Sequence, residues 1–208
     1  MNLEDYITAH SDVEPDYLAK LNRVTHLRTI NPRMLSGHFQ GRVLAMFCHM
    51  IQPKVVLELG TFTGYSALSM AEGMPEEGIL HTIDCDDELE DFLNDTFANS
   101  EHGHKIKLHI GDALTEIGKL NETLDLVFID ADKREYLAYY EAVLPKVRKG
   151  GFILTDNTLW DEKVLKPVDP KDKDTVAIMQ FNDFIAADNR IEKVLLPIRD
   201  GLTLIRKK

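Results

Sequence analysis

Three oxygen-bearing side chains follow two neighbouring apolar runs of this sequence. Asp130 comes directly after one run, and Asp156-Asn157 comes directly after the next. If the two runs are adjacent parallel strands, these side chains meet at one sheet edge and offer oxygen ligands to one hard cation. Mg²⁺ suits this set, and Ca²⁺ and Mn²⁺ remain open because oxygen ligands discriminate poorly among them. Each aspartate taken singly also fits a helix cap.

Lys133 lies three residues beyond Asp130. A nearby divalent cation disfavours the ammonium form of a lysine, so the pKa of Lys133 can fall toward the range in which it acts as a base. The alternative is a surface lysine paired with a nearby acid.

A second candidate site is the glycine turn from Glu58 to Ser66. Its spacing is not GxGxxG, which disfavours a pyrophosphate cradle and suits a ligand without phosphates. Asp84 ends the next apolar run, where a carboxylate can accept hydrogen bonds from both ribose hydroxyls. A plain strand-helix turn and a helix cap are the alternatives, but the two features together favour a nucleoside ligand.

Two common catalytic motifs are missing. Gly64-Tyr65-Ser66-Ala67-Leu68 lacks the final glycine of a GxSxG elbow, so a serine hydrolase is not expected. The sequence has no GxxxxGK[ST], which argues against a P-loop enzyme.

Apolar periodicity predicts the elements that position these residues. The first fifty or so residues are predicted to be helical. Strands are predicted at 55–59, 79–84, 106–110, 124–129, 151–155, 191–196 and 201–205. Helices are predicted at about 64–74, 87–99, 113–120, 134–147 and 175–187, with a loop at 161–174. This alternation predicts an α/β fold with a mostly parallel sheet, closed by an antiparallel pair of strands, and a ligand site beyond the carboxyl ends of the strands.

Composition limits the class of protein. The 208 residues include 24 Lys and Arg against 35 Asp and Glu, a formal charge of −11, which argues against a broad nucleic-acid-binding face. The acidic start has no basic region, and no run approaches the ~18 apolar residues of a membrane span. Cys48 and Cys85 stand apart, as in a reducing compartment. We therefore expect a cytoplasmic protein with one domain over 1–208, in which 1–52 form a helical segment and 53–208 the α/β core.

The sequence resembles a known family, the cation-dependent O-methyltransferases typified by caffeoyl-CoA and catechol O-methyltransferases. It resembles the small bacterial members of this family more closely. The resemblance covers almost the whole chain. Its segments are 34–41, the turn from Glu58 to Ser66, Gly111-Asp112-Ala113, Asp130-Ala131-Asp132-Lys133, Asp156-Asn157-Thr158-Leu159-Trp160 and 200–203. The segments Asp130-Ala131-Asp132-Lys133 and Asp156-Asn157-Thr158-Leu159-Trp160 are together highly specific for this family. The resemblance implies a class I methyltransferase fold, Rossmann-like and doubly wound, with seven strands and N-terminal helices.

The resemblance also implies roles for individual residues. Asp130, Asp156 and Asn157 match metal ligands, and Lys133 matches a general base. The positions that match contacts to S-adenosylmethionine are Ser36, Glu58, Gly60, Thr61, Ser66, Asp84, Ala113 and Asp132. Among these, Asp84 corresponds to the ribose contact and Ala113 to the adenine contact.

The implied reaction is methyl transfer to one hydroxyl of a catechol-like small aromatic molecule, by a homodimer. Gln40 and Asp161 stand where the plant enzymes carry a glutamate and an asparagine, which argues against their acyl-CoA substrate. A nucleotide-cofactor dehydrogenase of similar topology and a catalytically silent methyltransferase fold remain as alternatives. The absent GxGxxG disfavours the first, and the filled site positions disfavour the second.

Overall fold

The computed structural model describes residues 3–208, with their side chains from Asp5 onward. Met1 and Asn2, which begin the acidic start, lie outside the described residues. The α-helices of the described chain are α1 (Leu3–Ala9), α2 (Asp16–Arg28), α3 (Gly37–Ile51), α4 (Tyr65–Gly73), α5 (Glu90–Ala98), α6 (Ala113–Lys119), α7 (Tyr136–Val143) and α8 (Lys173–Ala187). Its strands are β1 (Val55–Leu59), β2 (Ile79–Asp84), β3 (Ile106–Ile110), β4 (Leu124–Ile129), β5 (Val147–Thr155), β6 (Ile191–Leu196) and β7 (Leu202–Lys207).

The strands follow the order β3-β2-β1-β4-β5-β7-β6 in one seven-stranded sheet. The pairs β1–β4, β4–β5 and β2–β3 are parallel, whereas β7 runs antiparallel to both β5 and β6. Strands β1 and β4 are almost entirely buried, as expected for parallel strands covered on both faces. The predicted mostly parallel, doubly wound sheet with an antiparallel closing pair is confirmed.

The chain forms two compact units. The C-terminal unit comprises Val55–Gly60 and Gly111–Lys208, and the N-terminal unit comprises Met1–Lys54 and Thr61–Ile110. The prediction of one domain over 1–208 stays a prediction.

In the N-terminal unit, α3 and α4 approach closely. A Cβ on Gly73 would lie 2.2 Å from the backbone oxygen of Ala45, so only glycine fits there. Glu72 of α4 accepts hydrogen bonds from Arg42 Nη1 at 2.7 Å and from the Tyr17 hydroxyl at 3.0 Å. These bonds fasten the predicted helical segment to α4.

In the C-terminal unit, aromatic side chains join α7 to α8. Tyr136 and Tyr140 both lie edge-on to the Phe181 ring, with ring centroids 5.6 and 6.1 Å apart. All three side chains are fully buried. This contact fixes the rotation of α7, which begins just after Lys133.

Two predicted boundaries were wrong. The helix predicted at about 134–147 ends at Val143, and β5 begins at Val147 rather than at residue 151. The strand passes through Gly150, whose φ is +75°, and its register against β4 shifts there, so the glycines are a bulge within the strand and not its start. The predicted loop at 161–174 contains a 3₁₀ turn at Lys163–Leu165 and the first two residues of α8, which begins at Lys173.

In the part of the chain that the structure describes, no helix has both the length and the apolar character needed to cross a membrane.

Candidate active site

The ends of β4 and β5 bring two predicted ligands to one sheet edge. Ile129 pairs with Thr155 in the last register position of these parallel strands. The backbone N–H of Asp156 then donates to Ile129 O at 3.0 Å, and that of Asp130 donates to Leu59 O at 2.9 Å. Backbone hydrogen bonds therefore hold Asp130 and Asp156 just beyond adjacent strands, as the sequence predicted.

Gly60 is required where β1 ends against the same edge. Its φ is +94°, and a Cβ there would lie 2.2 Å from the backbone oxygen of Asp130. No other residue combines this conformation with so close an approach. Gly60 therefore allows the end of β1 to lie against the backbone of Asp130. A glycine is needed at this position for structural reasons, whether or not a ligand binds there.

Lys133 lies directly against Asp130. Its ammonium donates to Asp130 Oδ1 at 2.7 Å and to the hydroxyl of Tyr136 at 2.8 Å. Both partners of the ion pair are mostly buried, with 13% and 20% of the Lys133 and Asp130 side chains exposed. Of the alternative, a surface lysine paired with a nearby acid, the structure shows the ion pair but not the surface position, because the pair is mostly buried.

Tyr136 connects this ion pair to both strand ends. Its fully buried hydroxyl lies 3.1 Å from Asp156 O and 3.3 Å from Ile129 O, and each carbonyl is an acceptor. Burial, reinforced by the charges of Asp130 and Asp156, raises the pKa of Tyr136 well above its ordinary value. The hydroxyl therefore keeps its proton. Sequence reasoning placed Tyr136 only in a helix; its spacing of three from Lys133 was the available signal.

Asn157 is held by Asp200, which lies just before β7. It adopts a left-handed conformation with φ of 56°, which asparagine tolerates better than most residues. Its amide nitrogen donates to Asp200 Oδ2 at 3.4 Å, and Asp200 also accepts hydrogen bonds from the backbone N–H groups of Asp161 and Leu159. Asp200 thus orders the segment after β5, a role that no local pattern in the sequence indicated.

This arrangement leaves oxygen atoms for a further ligand. Asp130 Oδ2 and Asn157 Oδ1 accept no hydrogen bond from residues 3–208. Within the same residues, no group of three or more His, Cys, Asp and Glu side chains forms a cation site. The predicted set has a different composition, two carboxylates and one amide, so its role as a metal site stays a prediction.

The predicted ribose contact, Asp84, holds the glycine turn in the N-terminal unit. Its Oδ2 accepts the backbone N–H groups of Thr61 at 2.9 Å and Phe62 at 2.8 Å. Its Oδ1 accepts the N–H of Asp86 at 3.0 Å. Capping of the following 3₁₀ turn falls to Asp86 and not to Asp84. Asp84 is therefore a turn-forming residue whatever else it binds.

We expect Asp84→Ala to lower the free energy of unfolding by about 1–3 kcal/mol, because two turn N–H groups lose their acceptor. Asp86→Ala is the matched control, since it removes one exposed cap worth about 1 kcal/mol. Urea denaturation of both variants measures the difference. An equal cost for the two variants would mean that Asp84 does not hold the turn.

The other predicted cofactor residues are distributed over both units. Ser36 and Ser66 are buried near the starts of α3 and α4. Glu58 is fully buried in β1, and Ala113 begins α6. Asp132 is exposed, and its hydrogen bonds with Arg134 hold the pKa of its carboxyl below the ordinary value. The structure tests none of these cofactor roles.

Comparison with known proteins gives a consistent result. The family described as O-methyltransferase matches residues 8–208. Caffeoyl-CoA O-methyltransferase of Petroselinum crispum is 35% identical over 205 residues, covering 93% of this chain and 85% of that protein. Probable caffeoyl-CoA O-methyltransferase 2 of Dictyostelium discoideum is 36% identical over 208 residues, covering 98% and 90%. The crystal structure of the SAH-bound Podospora anserina methyltransferase PaMTH1 superposes with a TM-score of 0.91 at 27% identity, covering 99% and 94%.

The family match spans nearly the whole chain, and the curated relatives agree with it over most of their own length. The chain belongs to the O-methyltransferase family and is an O-methyltransferase.

Proposed function

We propose that this enzyme transfers the methyl group of S-adenosylmethionine to one of two adjacent hydroxyls of a catechol-like aromatic molecule held on a divalent cation. The observation that carries the proposal is the junction of β4 and β5. There Asp130 and Asp156 follow paired strand ends, and Lys133 Nζ lies 2.7 Å from Asp130.

The donor chemistry of this junction fits a hard cation. Asp130 and Asp156 supply carboxylates, and Asn157 would contribute its amide oxygen, since its amide nitrogen is engaged by Asp200. Oxygen donors of this kind suit Mg²⁺, with Ca²⁺ and Mn²⁺ as alternatives. When bound, the cation would lower the pKa of the acceptor hydroxyls and fix their orientation.

The residues around the junction would manage the proton. Lys133 accepts the acceptor's proton at Nζ, as a general base within hydrogen-bonding reach. Tyr136 and Asp130 hold Nζ between them. Fixing the acceptor oxygen and the sulfonium methyl in a near-attack arrangement would contribute on the order of 7–11 kcal/mol to lowering the barrier.

Binding of S-adenosylmethionine is assigned by family membership and is supported by the SAH-bound state of PaMTH1. We propose that its methionine end meets Glu58, Gly60, Thr61 and Ser66, its ribose Asp84, and its adenine Ala113, with Ser36 and Asp132 as further contacts. Three backbone N–H groups already use the Asp84 carboxylate, which has about four acceptor positions in all. A ribose therefore has about one position left on this residue.

The acceptor class follows from the two-point attachment that a cation allows. The relatives are named for a caffeoyl group, whose ring carries two adjacent hydroxyls. Gln40 is buried and Asp161 is exposed in this chain. Both differ from the residues of the plant enzymes. We therefore propose an acceptor with two adjacent hydroxyls but not an acyl-CoA thioester. The proposal also includes a homodimer, which sedimentation equilibrium would test.

A matched acceptor screen tests the function. Catechol, caffeic acid and a catechol-type flavonoid are incubated with labelled S-adenosylmethionine, each beside its monohydroxy analogue, in Mg²⁺ and in chelator. We expect label in the diols only, and only with the cation. Equal labelling of the monohydroxy analogues, or labelling of the diols that resists the chelator, would contradict the proposal.

A further inference from the structure

The hydroxyl of Tyr136 links Lys133 to the ends of β4 and β5. It accepts a hydrogen bond from Lys133 Nζ at 2.8 Å, and its own proton has two carbonyl acceptors, Asp156 O at 3.1 Å and Ile129 O at 3.3 Å. A tyrosine hydroxyl has one proton and can accept from other donors at its oxygen. With its proton given to a carbonyl, Tyr136 faces Lys133 only as an acceptor.

The Tyr136 ring cannot turn away from this position. It is fully buried and lies edge-on to Phe181, with an interplanar angle of 83°. The ammonium of Lys133 lies 4.9 Å from the centroid of the same ring. The hydroxyl is therefore a rigid anchor for Nζ.

The two hydrogen bonds of Lys133 Nζ set the direction of its remaining donor position. Nζ carries three donor positions, and two of them go to Asp130 Oδ1 and Tyr136 Oη. The third meets no hydrogen-bond partner in the described chain.

We infer that Tyr136 is the positioning residue for Lys133, holding Nζ so that its third position faces the acceptor hydroxyl. This inference rests on the proposed function for the identity of the base. Tyr136 is fully buried, and in this role it acts through Lys133.

The chain offers a close control for this role. Tyr140 lies one turn further along α7, is fully buried, and is also edge-on to Phe181. Its hydroxyl donates to Asp188 Oδ2 at 2.8 Å and has no bond to Lys133. Tyr140→Phe therefore removes a comparable hydroxyl from the same helix while leaving the Lys133 anchor intact.

A double-mutant cycle tests the inference. Tyr136→Phe is expected to lower kcat about 10- to 100-fold, the usual effect of losing an orienting partner, while KM for S-adenosylmethionine changes less than about twofold. In a Lys133→Met background the same change is expected to have no further effect on kcat. An equal loss in both backgrounds would overturn the inference, as would a loss no larger than that of Tyr140→Phe.

Two further measurements keep the test decisive. If Tyr136→Phe is too unstable to purify, 3-fluorotyrosine at position 136 retains the hydroxyl as a weaker acceptor. It is expected to lower kcat, whereas the same replacement at position 140 leaves kcat unchanged; equal effects at the two positions would overturn the inference. If the wild-type enzyme methylates no diol, the proposed function fails. The contact can then still be tested by measuring the free energy of unfolding of the Tyr136→Phe, Lys133→Met and double variants. If the two single changes do not add up to the change in the double variant, the result supports the anchor; if they add up, the result contradicts it.

Discussion

Asp156→Ala is expected to lower cation-dependent methyl transfer by about 10³-fold or more, since it removes one of the two proposed carboxylate ligands together with its negative charge. The Asp156 side chain is buried, with 3% of the residue exposed. Its backbone N–H and carbonyl, which bond to Ile129 and Tyr136, are retained in alanine. The loss is expected in kcat and in cation affinity. Initial rates over a Mg²⁺ series measure it.

Asp183→Ala is the control for this prediction. Asp183 is exposed on α8 in the same unit, so its removal changes the net charge equally without touching the junction. We expect wild-type rates from it. Chelator-sensitive transfer at near wild-type rate by Asp156→Ala would mean that the cation lies elsewhere.

Lys133→Met is expected to lower kcat by about 10²- to 10⁴-fold, the contribution typical of a general base. Methionine retains an unbranched side chain that can still pack against the Tyr136 ring. Cation affinity is expected to stay the same or rise, because Asp130 Oδ1 loses the ammonium that competes for it. Calorimetric titration of Mg²⁺ separates this outcome from damage to the ligand set.

The matched control is Lys149→Met, because Lys149 is exposed and its side chain has no partner in the described residues. It is expected to leave kcat unchanged. A kcat for Lys133→Met within about threefold of wild type would remove Lys133 from the proton-transfer step, where a general base contributes at least about 10²-fold.

The fold was largely predictable because several of its parallel strands, β1 and β4 above all, are short runs dominated by apolar residues. Val55 to Leu59 and Leu124 to Ile129 were predicted with the observed bounds. β5 was not, because its first residues contain Gly150-Gly151 and a shift of register against β4. A glycine pair in a strand has the same local pattern as a turn, and only pairing with Leu124 identifies Val147 as strand.

The site was predictable where it depends on position relative to a strand end. Asp130 and Asp156 were found because adjacent parallel strands place their following residues together. Tyr136 and Asp200 were not found, because each acts by reaching across the unit to groups that no sequence period relates to it. For Asp84 the sequence predicted a ribose contact or a helix cap; the ribose contact stays a prediction, and the hydrogen bonds of Asp84 to the turn, which exist independently of any ligand, were not predicted.

The cation is the part of the proposed function on which most of the other assignments depend. Crystals of the wild-type enzyme grown with Mn²⁺ and S-adenosylhomocysteine, with anomalous scattering collected at the manganese edge, would locate it directly. One strong peak is expected within bonding distance of oxygen atoms of Asp130, Asp156 and Asn157. A peak at other residues, or no peak in crystals of protein shown to methylate catechol, would contradict it.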